Sequence, residues 1–337
     1  MGSLAHRALS CTIVRDQDYM RWTIGVRVVR ILFREGTMKI SAALSVLLPA
    51  LILLPVITDS APSQDKDTKP MADRKHVAIS TITFLLPDAD SDVPRASKAD
   101  NIEKARRLLD VAGERKSDIV CLPELFATKR STNQSEAEPV PGGDISKMLS
   151  EQAAKWRMYV VGCLYEKKND KTYNTVAIFD RDGKLVGTFN KVHLPKEEVD
   201  VAVPGDSFPV FKTDFGAIAA LVCYDIHFPE AARIVALRGA DVIFWPTMYG
   251  EPESMTEALL RARAIENKLF MVSSNYAQVV GPHAGFSAIV SPYGIILANT
   301  GRKEGVATAT VNLDDRPSWP DIHKERRPDA YTPLTEK

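Results

Sequence analysis

Hydrophobic and polar positions run through this chain in two rhythms, and the rhythms alternate. Residues 76–84 alternate as a strand does, and 97–116 follow with Ile102, Ala105, Leu108, Leu109 and Ala112 at helical spacing. A short apolar run at 118–122 is halted by Pro123 and Glu124. Residues 145–157 read as a helix. Strands are expected at 159–165, 173–180 and 184–190, the last two joined by an Arg181-Asp182-Gly183 turn. A loop through Pro204-Gly205-Asp206 leads to a short strand at 208–211 and to an apolar run at 215–222, which reads as a strand covered on both faces. A helix over 229–238 with Pro229 in its first turn, a buried strand at 241–245 and a helix over 257–268 come next. Strands at 269–275, 285–290, 295–299 and 306–313 complete the set. Interleaved βα order with added hairpins predicts an α/β fold whose sheets are covered by helices.

The two ends depart from this pattern. Residues 1–37 carry scattered arginines without a clean period and read as an N-terminal extension, untranslated or disordered if the chain starts at Met38. Met38-Lys39 opens an uncharged run over 40–57 that ends near the small residues Ser60-Ala61. A basic start, an apolar stretch and small residues predict a signal peptide over 38–61, and so export to a periplasm or the outside, with an uncleaved membrane anchor as the alternative. Residues 62–74 are rich in charge, Pro and Ser and read as a linker. The folded domain is expected over 75–316, and the polar tail 317–337 is expected to wrap a surface or a partner subunit.

Composition narrows the partners. The chain has 43 basic and 43 acidic side chains, so nothing favours nucleic acid, and a small molecule is the expected ligand. Cys11, Cys121, Cys163 and Cys223 form no CxxC pair, and no His/Cys cluster has ligand spacing. Neither zinc nor a disulfide framework is expected.

Cys223 ends the apolar run 215–222 just before a helix, where the first helical N–H groups and the helix dipole favour a thiolate. Taken alone it reads more readily as a small buried hydrophobe. Glu124 and Lys191 stand at comparable places after two other strands, and open α/β sheets gather ligands at strand C-terminal ends. A carboxylate beside a thiol can take its proton, and an ammonium steadies both the thiolate and an oxyanion.

With their neighbours these residues resemble the nitrilase superfamily of carbon–nitrogen hydrolases, whose signature is a Glu–Lys–Cys set in this order. Leu122-Pro123-Glu124-Leu125-Phe126 is similar to the family's glutamate motif, and Asn190-Lys191-Val192-His193-Leu194 to its lysine motif. Cys223-Tyr224-Asp225 with Phe228-Pro229-Glu230 is similar to its cysteine motif. Pro204-Gly205-Asp206 and the stretch 261–267 match further landmarks.

The resemblance implies a four-layer α-β-β-α sandwich, association into a homodimer or higher homo-oligomer, and hydrolysis of a small amide or N-carbamoyl substrate through a cysteine thioester, a mechanism that requires no metal or organic cofactor. Cys223 is then the nucleophile and Glu124 the base, while Lys191 and the backbone N–H of Tyr224 hold the oxyanion. The family's second glutamate falls on Glu198, with Glu197 as its neighbouring candidate. Tyr224-Asp225 after the cysteine points to the amidase and carbamoyl-amidohydrolase branches. Trp245 and Tyr249, following the next strand, are candidates for the pocket wall. His227 stands where relatives often carry Arg, and is a candidate substrate contact. The alternatives are a nitrilase, a Cys-dependent N-acyltransferase, a Cys–His peptidase using His193, His227 or His283, and a non-catalytic exported binding protein with the same fold.

Overall fold

The computed structural model describes residues 11–16, 19–24, 27–34, 37–40, 76–85, 96–128, 136–278 and 285–336. The chain divides into two units, Met1–Asp65 and Lys66–Lys337. In the first, β1 (Cys11–Asp16), β2 (Tyr19–Ile24), β3 (Arg27–Arg34) and β4 (Thr37–Ile40) form an antiparallel sheet in chain order. The stretch read as lacking a period thus contains strands, in keeping with its many Val, Ile, Thr and aromatic residues. Met38 itself lies in β4. The remainder of the expected signal, 41–61, and the linker 62–74 lie outside the described residues.

The second unit holds two sheets. One is built from β5 (His76–Leu85), β6 (Ile119–Cys121), β7 (Tyr159–Lys168), β8 (Lys171–Phe179) and β9 (Leu185–Asn190). Strands β5, β6 and β7 run parallel, and β7, β8 and β9 antiparallel. The other contains β10 (Phe211–Lys212), β11 (Ala217–Ala220), β12 (Val242–Pro246) and β13 (Phe270–Ser274), followed after β14 (Tyr276–Ala277) by β15 (Ala288–Val290) and β16 (Ile296–Asn299). Strand β14 pairs with β5 in the first sheet, as does β17 (Gly305–Asn312). Helices α1 (Lys98–Glu114) and α2 (Asp144–Trp156) follow β5 and β6, and α3 (Pro229–Leu237) and α4 (Glu253–Asn267) follow β11 and β12.

The layers follow from which side each strand residue faces. In β7, Tyr159, Val161, Cys163 and Tyr165 enter a core shared with Ile218, Ala220, Val242 and Phe244 of the other sheet. The alternate residues Val160 and Leu164 pack with Leu109 of α1 and Leu149 of α2. On the far side, Ala219, Ile243 and Trp245 pack with Val235 of α3 and Leu260 of α4. Period-two alternation with both faces apolar is what a sheet enclosed on both sides requires, and the result is the expected α-β-β-α sandwich.

Most boundaries fall within a few residues of the sequence reading. Helix α1 starts after Ser97, whose hydroxyl accepts the N–H of Asp100 while the Asp100 carboxylate accepts the N–H of Ser97. Helix α4 begins at Glu253, four residues before the expected 257, because its first turn has a single apolar residue, Met255, and so shows no apolar period. The run 215–222 is strand only over Ala217–Ala220, and the chain then breaks into a turn at Cys223.

Candidate active site

Glu124, Lys191 and Cys223 reach the site from just beyond strand ends, and Glu198 from the turn that follows β9. Glu124 follows β6, Lys191 follows β9, and Cys223 follows β11 within a short 3-10 segment over Cys223–His227. Two residues here occupy the left-handed region without being glycine: Leu125 at φ +48° beside Glu124, and Cys223 itself at φ +43°. Such backbone costs on the order of 1–3 kcal/mol per residue and persists where surroundings over-determine it, commonly at functional sites. The turn at Cys223 is held on both sides. The Asp225 carboxylate accepts Val222 N–H at 3.0 Å, and the Trp245 indole donates to the Cys223 carbonyl at 2.9 Å.

The centre is a buried ionic cluster. Lys191 Nζ donates to Glu124 Oε1 at 3.0 Å and to Glu198 Oε2 at 2.6 Å, and neither Lys191 nor Glu124 has any exposed surface. Asn174 Nδ2 donates to Glu124 Oε1 at 2.9 Å and to Glu198 Oε1 at 2.6 Å, while Met248 N–H donates to Glu124 Oε2 at 2.9 Å. Burial pushes the Lys191 ammonium down, but the neighbouring acidic groups Glu124, Cys223 and Glu198 outweigh it and hold its pKa above the ordinary lysine value. Burial, reinforced by the charge of Glu124, raises the Glu198 carboxyl against the opposing pull of Lys191 and Asn174. Breaking a buried ion pair typically costs about 3–5 kcal/mol, whereas well-packed apolar residues would serve stability as well. Strongly perturbed buried charges cluster at functional sites, which makes this group the candidate site.

Local backbone explains two of the sequence landmarks. Gly205 N–H donates to the Lys191 carbonyl at 2.8 Å, and a Cβ at this position would collide with the Asn190 carbonyl oxygen. The Pro204-Gly205 turn therefore closes against the lysine strand end, where only glycine fits. Asp225 explains the other: besides Val222 it receives both the backbone N–H of His193, at 2.9 Å, and that residue's Nδ1, at 2.8 Å.

The remaining candidates separate by exposure. Of the adjacent acids, Glu198 enters the cluster and Glu197 is exposed. Tyr224 occupies the first turn of the 3-10 segment, where N–H groups precede any intrahelical acceptor, so a backbone donor is available there for an oxyanion. Its ring is exposed and packs against His227 and Phe228. Trp245 presents no accessible surface; it supports Cys223 from behind, within the core under α3 and α4. Tyr249 is nearly buried, with its ring 5.6 Å from those of both Trp245 and His227. His193 stacks flat on Phe228, and His283 lies outside the described residues. Asn174 was not singled out from the sequence. The available signal was a polar residue on the inner-face parity of β8, between Thr172 and Val176.

Fold and site together define an α-β-β-α sandwich in which Glu124, Lys191 and Cys223 stand just beyond strand ends. Residues 87–321 match the carbon-nitrogen hydrolase family, and the chain belongs to that family. It is 32% identical over 256 residues to omega-amidase NIT2-B of Xenopus laevis, covering 70% of this chain and 92% of that protein. The human omega-amidase NIT2 is 30% identical over 255 residues, covering 69% of this chain and 92% of its own length. Among solved structures, the carbon-nitrogen hydrolase from Helicobacter pylori G27 superposes with a TM-score of 0.67 at 26% identity, covering 78% of this chain and 99% of that one. The chain is a hydrolase of carbon–nitrogen bonds other than peptide bonds.

Proposed function

We propose that this chain hydrolyses a small primary amide through a thioester on Cys223, releasing ammonia. The observation that carries the reading is the buried Glu124–Lys191–Glu198 cluster, close enough to Cys223 for the lysine and the thiol to interact electrostatically. Two carboxylates and one ammonium already leave the cluster with excess negative charge when fully ionised. Creating a thiolate beside it is tolerable when the Cys223 proton passes to Glu124, since the total charge is then unchanged.

The sulfur bonds to the carbonyl carbon, and the oxyanion is held by the Lys191 ammonium and the Tyr224 N–H. Collapse breaks the carbon–nitrogen bond, and Glu124 returns its proton to the departing nitrogen. Water then gives a proton to Glu124 and attacks the thioester, with Glu198 positioning it. Collapse expels the sulfur, which takes that proton and leaves the carboxylic acid. An N-carbamoyl substrate follows the same steps, and Tyr224-Asp225 beside the nucleophile favours keeping both classes in view.

Relatives named as omega-amidases make an ω-carboxamide the first compound to try. The test is ammonia release from a panel of ω-amides, simple amides, ureides and nitriles. Release from an amide or ureide that is lost in Cys223→Ala supports the reading. Full activity in Cys223→Ala, or release from nitriles alone, would overturn it.

Export and self-association belong to the same proposal. The basic start and the uncharged run at 40–57 precede the family match and support a signal over 38–61. N-terminal sequencing of the protein recovered from outside the cytoplasm tests it, and a retained Met38 there would refute cleavage. The homo-oligomer rests on the family resemblance, and light scattering after size exclusion decides it.

A further inference from the structure

Asn174 sits in the middle of β8 and meets the site on three fronts. Its backbone carbonyl accepts the Lys191 N–H at 2.9 Å, which fixes the point where the lysine leaves β9. Its side-chain amide has two hydrogens, and the two acids receive both: Glu124 Oε1 at 2.9 Å and Glu198 Oε1 at 2.6 Å. Its side-chain oxygen accepts the Cys163 thiol at 3.1 Å. All of these side chains are buried.

The bonds close a ring. Glu124 Oε1 joins Lys191 Nζ and Asn174 Nδ2, and Glu198 joins the same two groups through its separate oxygens, Oε2 and Oε1. Glu124 and Glu198 come from different loops, 74 positions apart in the chain, and as carboxylates they repel. Lys191 draws both from one side, and the Asn174 amide draws both from the other. The ring also occupies Glu124 Oε1, leaving Oε2, with its bond from Met248 N–H, as the oxygen turned away from it.

We infer that Asn174 is a positioning residue that sets the separation and orientation of Glu124 and Glu198, with Cys163 fixing which way its amide faces; this rests on the hydrolytic reading above. A reversed amide would put its oxygen against two carboxylates and its NH2 against a thiol. The thiol can give its hydrogen to oxygen, and burial together with the charge of Glu124 keeps Cys163 protonated, well above the ordinary thiol range. It therefore remains a donor throughout the working range of pH. The direction of the effect on the acids follows. The Asn174 bond lowers the Glu198 pKa against burial, so removing the amide raises it further.

The test compares full-length Asn174→Ala, Cys163→Ser and Cys163→Val with wild type, using the best amide from the substrate panel. Activity is normalised to folded protein by circular dichroism. The expected result for Asn174→Ala is a kcat lower by about a hundredfold, the loss typical of misplaced catalytic groups, with KM within about threefold. The acid limb of its pH–kcat profile moves to higher pH, and so does the pH dependence of Cys223 alkylation by iodoacetamide. Cys163→Ser retains a donor and keeps the wild-type profile, whereas Cys163→Val moves the limb in the same direction by less.

An Asn174→Ala enzyme with unchanged kcat and pH profile, destabilised or not, would show Asn174 to be merely structural. Identical profiles in Cys163→Val and Cys163→Ser would remove the role of the thiol. Should Asn174→Ala fail to fold, the Cys163 pair carries the decision on the orientation of the amide. Failure of the hydrolytic reading looks different, because Cys223→Ala would then keep its activity whatever the Asn174 and Cys163 variants do.

Discussion

The buried Asp225 carboxylate and the backbone N–H of His193 are 2.9 Å apart, and this bond ties the cysteine turn to the lysine loop. The same carboxylate takes the His193 ring nitrogen and the Val222 N–H, so the placement of Cys223 relative to Lys191 passes through one side chain. Asp225→Asn keeps the shape but sets an NH2 group against N–H donors. An unmet buried donor costs about 1–3 kcal/mol, so an unfolding free energy lowered by that amount is expected from urea denaturation, together with a loss of kcat. A variant as active and as stable as wild type would contradict this coupling.

Lys191→Met tests the ionic cluster. It preserves length and removes the cation, leaving Glu124 and Glu198 facing one another in a buried site. The expected outcome is a loss of about 3–5 kcal/mol at neutral pH, read from denaturant unfolding. The loss shrinks as the pH falls, since protonating the acids relieves their repulsion. A loss that stays constant from neutral to acid pH would argue that the pair is not what the lysine neutralises.

Gly205→Ala should disturb the site from a distance. The new methyl group meets the Asn190 carbonyl, one residue from Lys191. Overpacking typically costs about 1–3 kcal/mol, and the shift of the lysine strand should lower kcat as well. Thermal melting and kinetics on the same sample read both effects. An alanine variant with wild-type kcat would mean that the turn does not position Lys191.

His227 supplies a pH dependence of known sign. Burial and then the charge of Arg263 lower its pKa, with Glu251 opposing, so it ionises below the ordinary imidazole value of 6.5. The unfolded chain therefore takes up this proton first. Stability is lost as the pH drops from 6.5 through the native pKa, and His227→Gln should remove that component. The direct check is the NMR titration of the imidazole, whose midpoint should lie below 6.5. A midpoint above it would reverse the sign.

Much of the fold was legible because its strands are short, apolar on both faces and separated by clear breaks, as at Pro123 after β6 and Arg181-Asp182-Gly183 after β8. The strands within 1–37 were missed because charge interrupts their apolar positions, as Arg21, Arg27 and Arg30 do. Glu198 was placed by the family resemblance with Glu197 as its neighbour, and the structure separates them, one acid being buried and the other exposed. Trp245 was expected in the pocket wall because it follows a strand. Strand parity turns it towards the helices instead, where its indole reaches the Cys223 carbonyl.

By itself, the sequence determined the kinds of group and where each leaves its strand: a carboxylate after β6, an ammonium after β9 and a thiol after β11. Those features are local, set by residue type and by the breaks that end each apolar run. Only the tertiary structure decided how they meet. The distances around Lys191, the ring through Asn174 and the bridge from Asp225 to His193 join residues many positions apart. Such contacts depend on how strands pair and sheets stack, which no local pattern encodes.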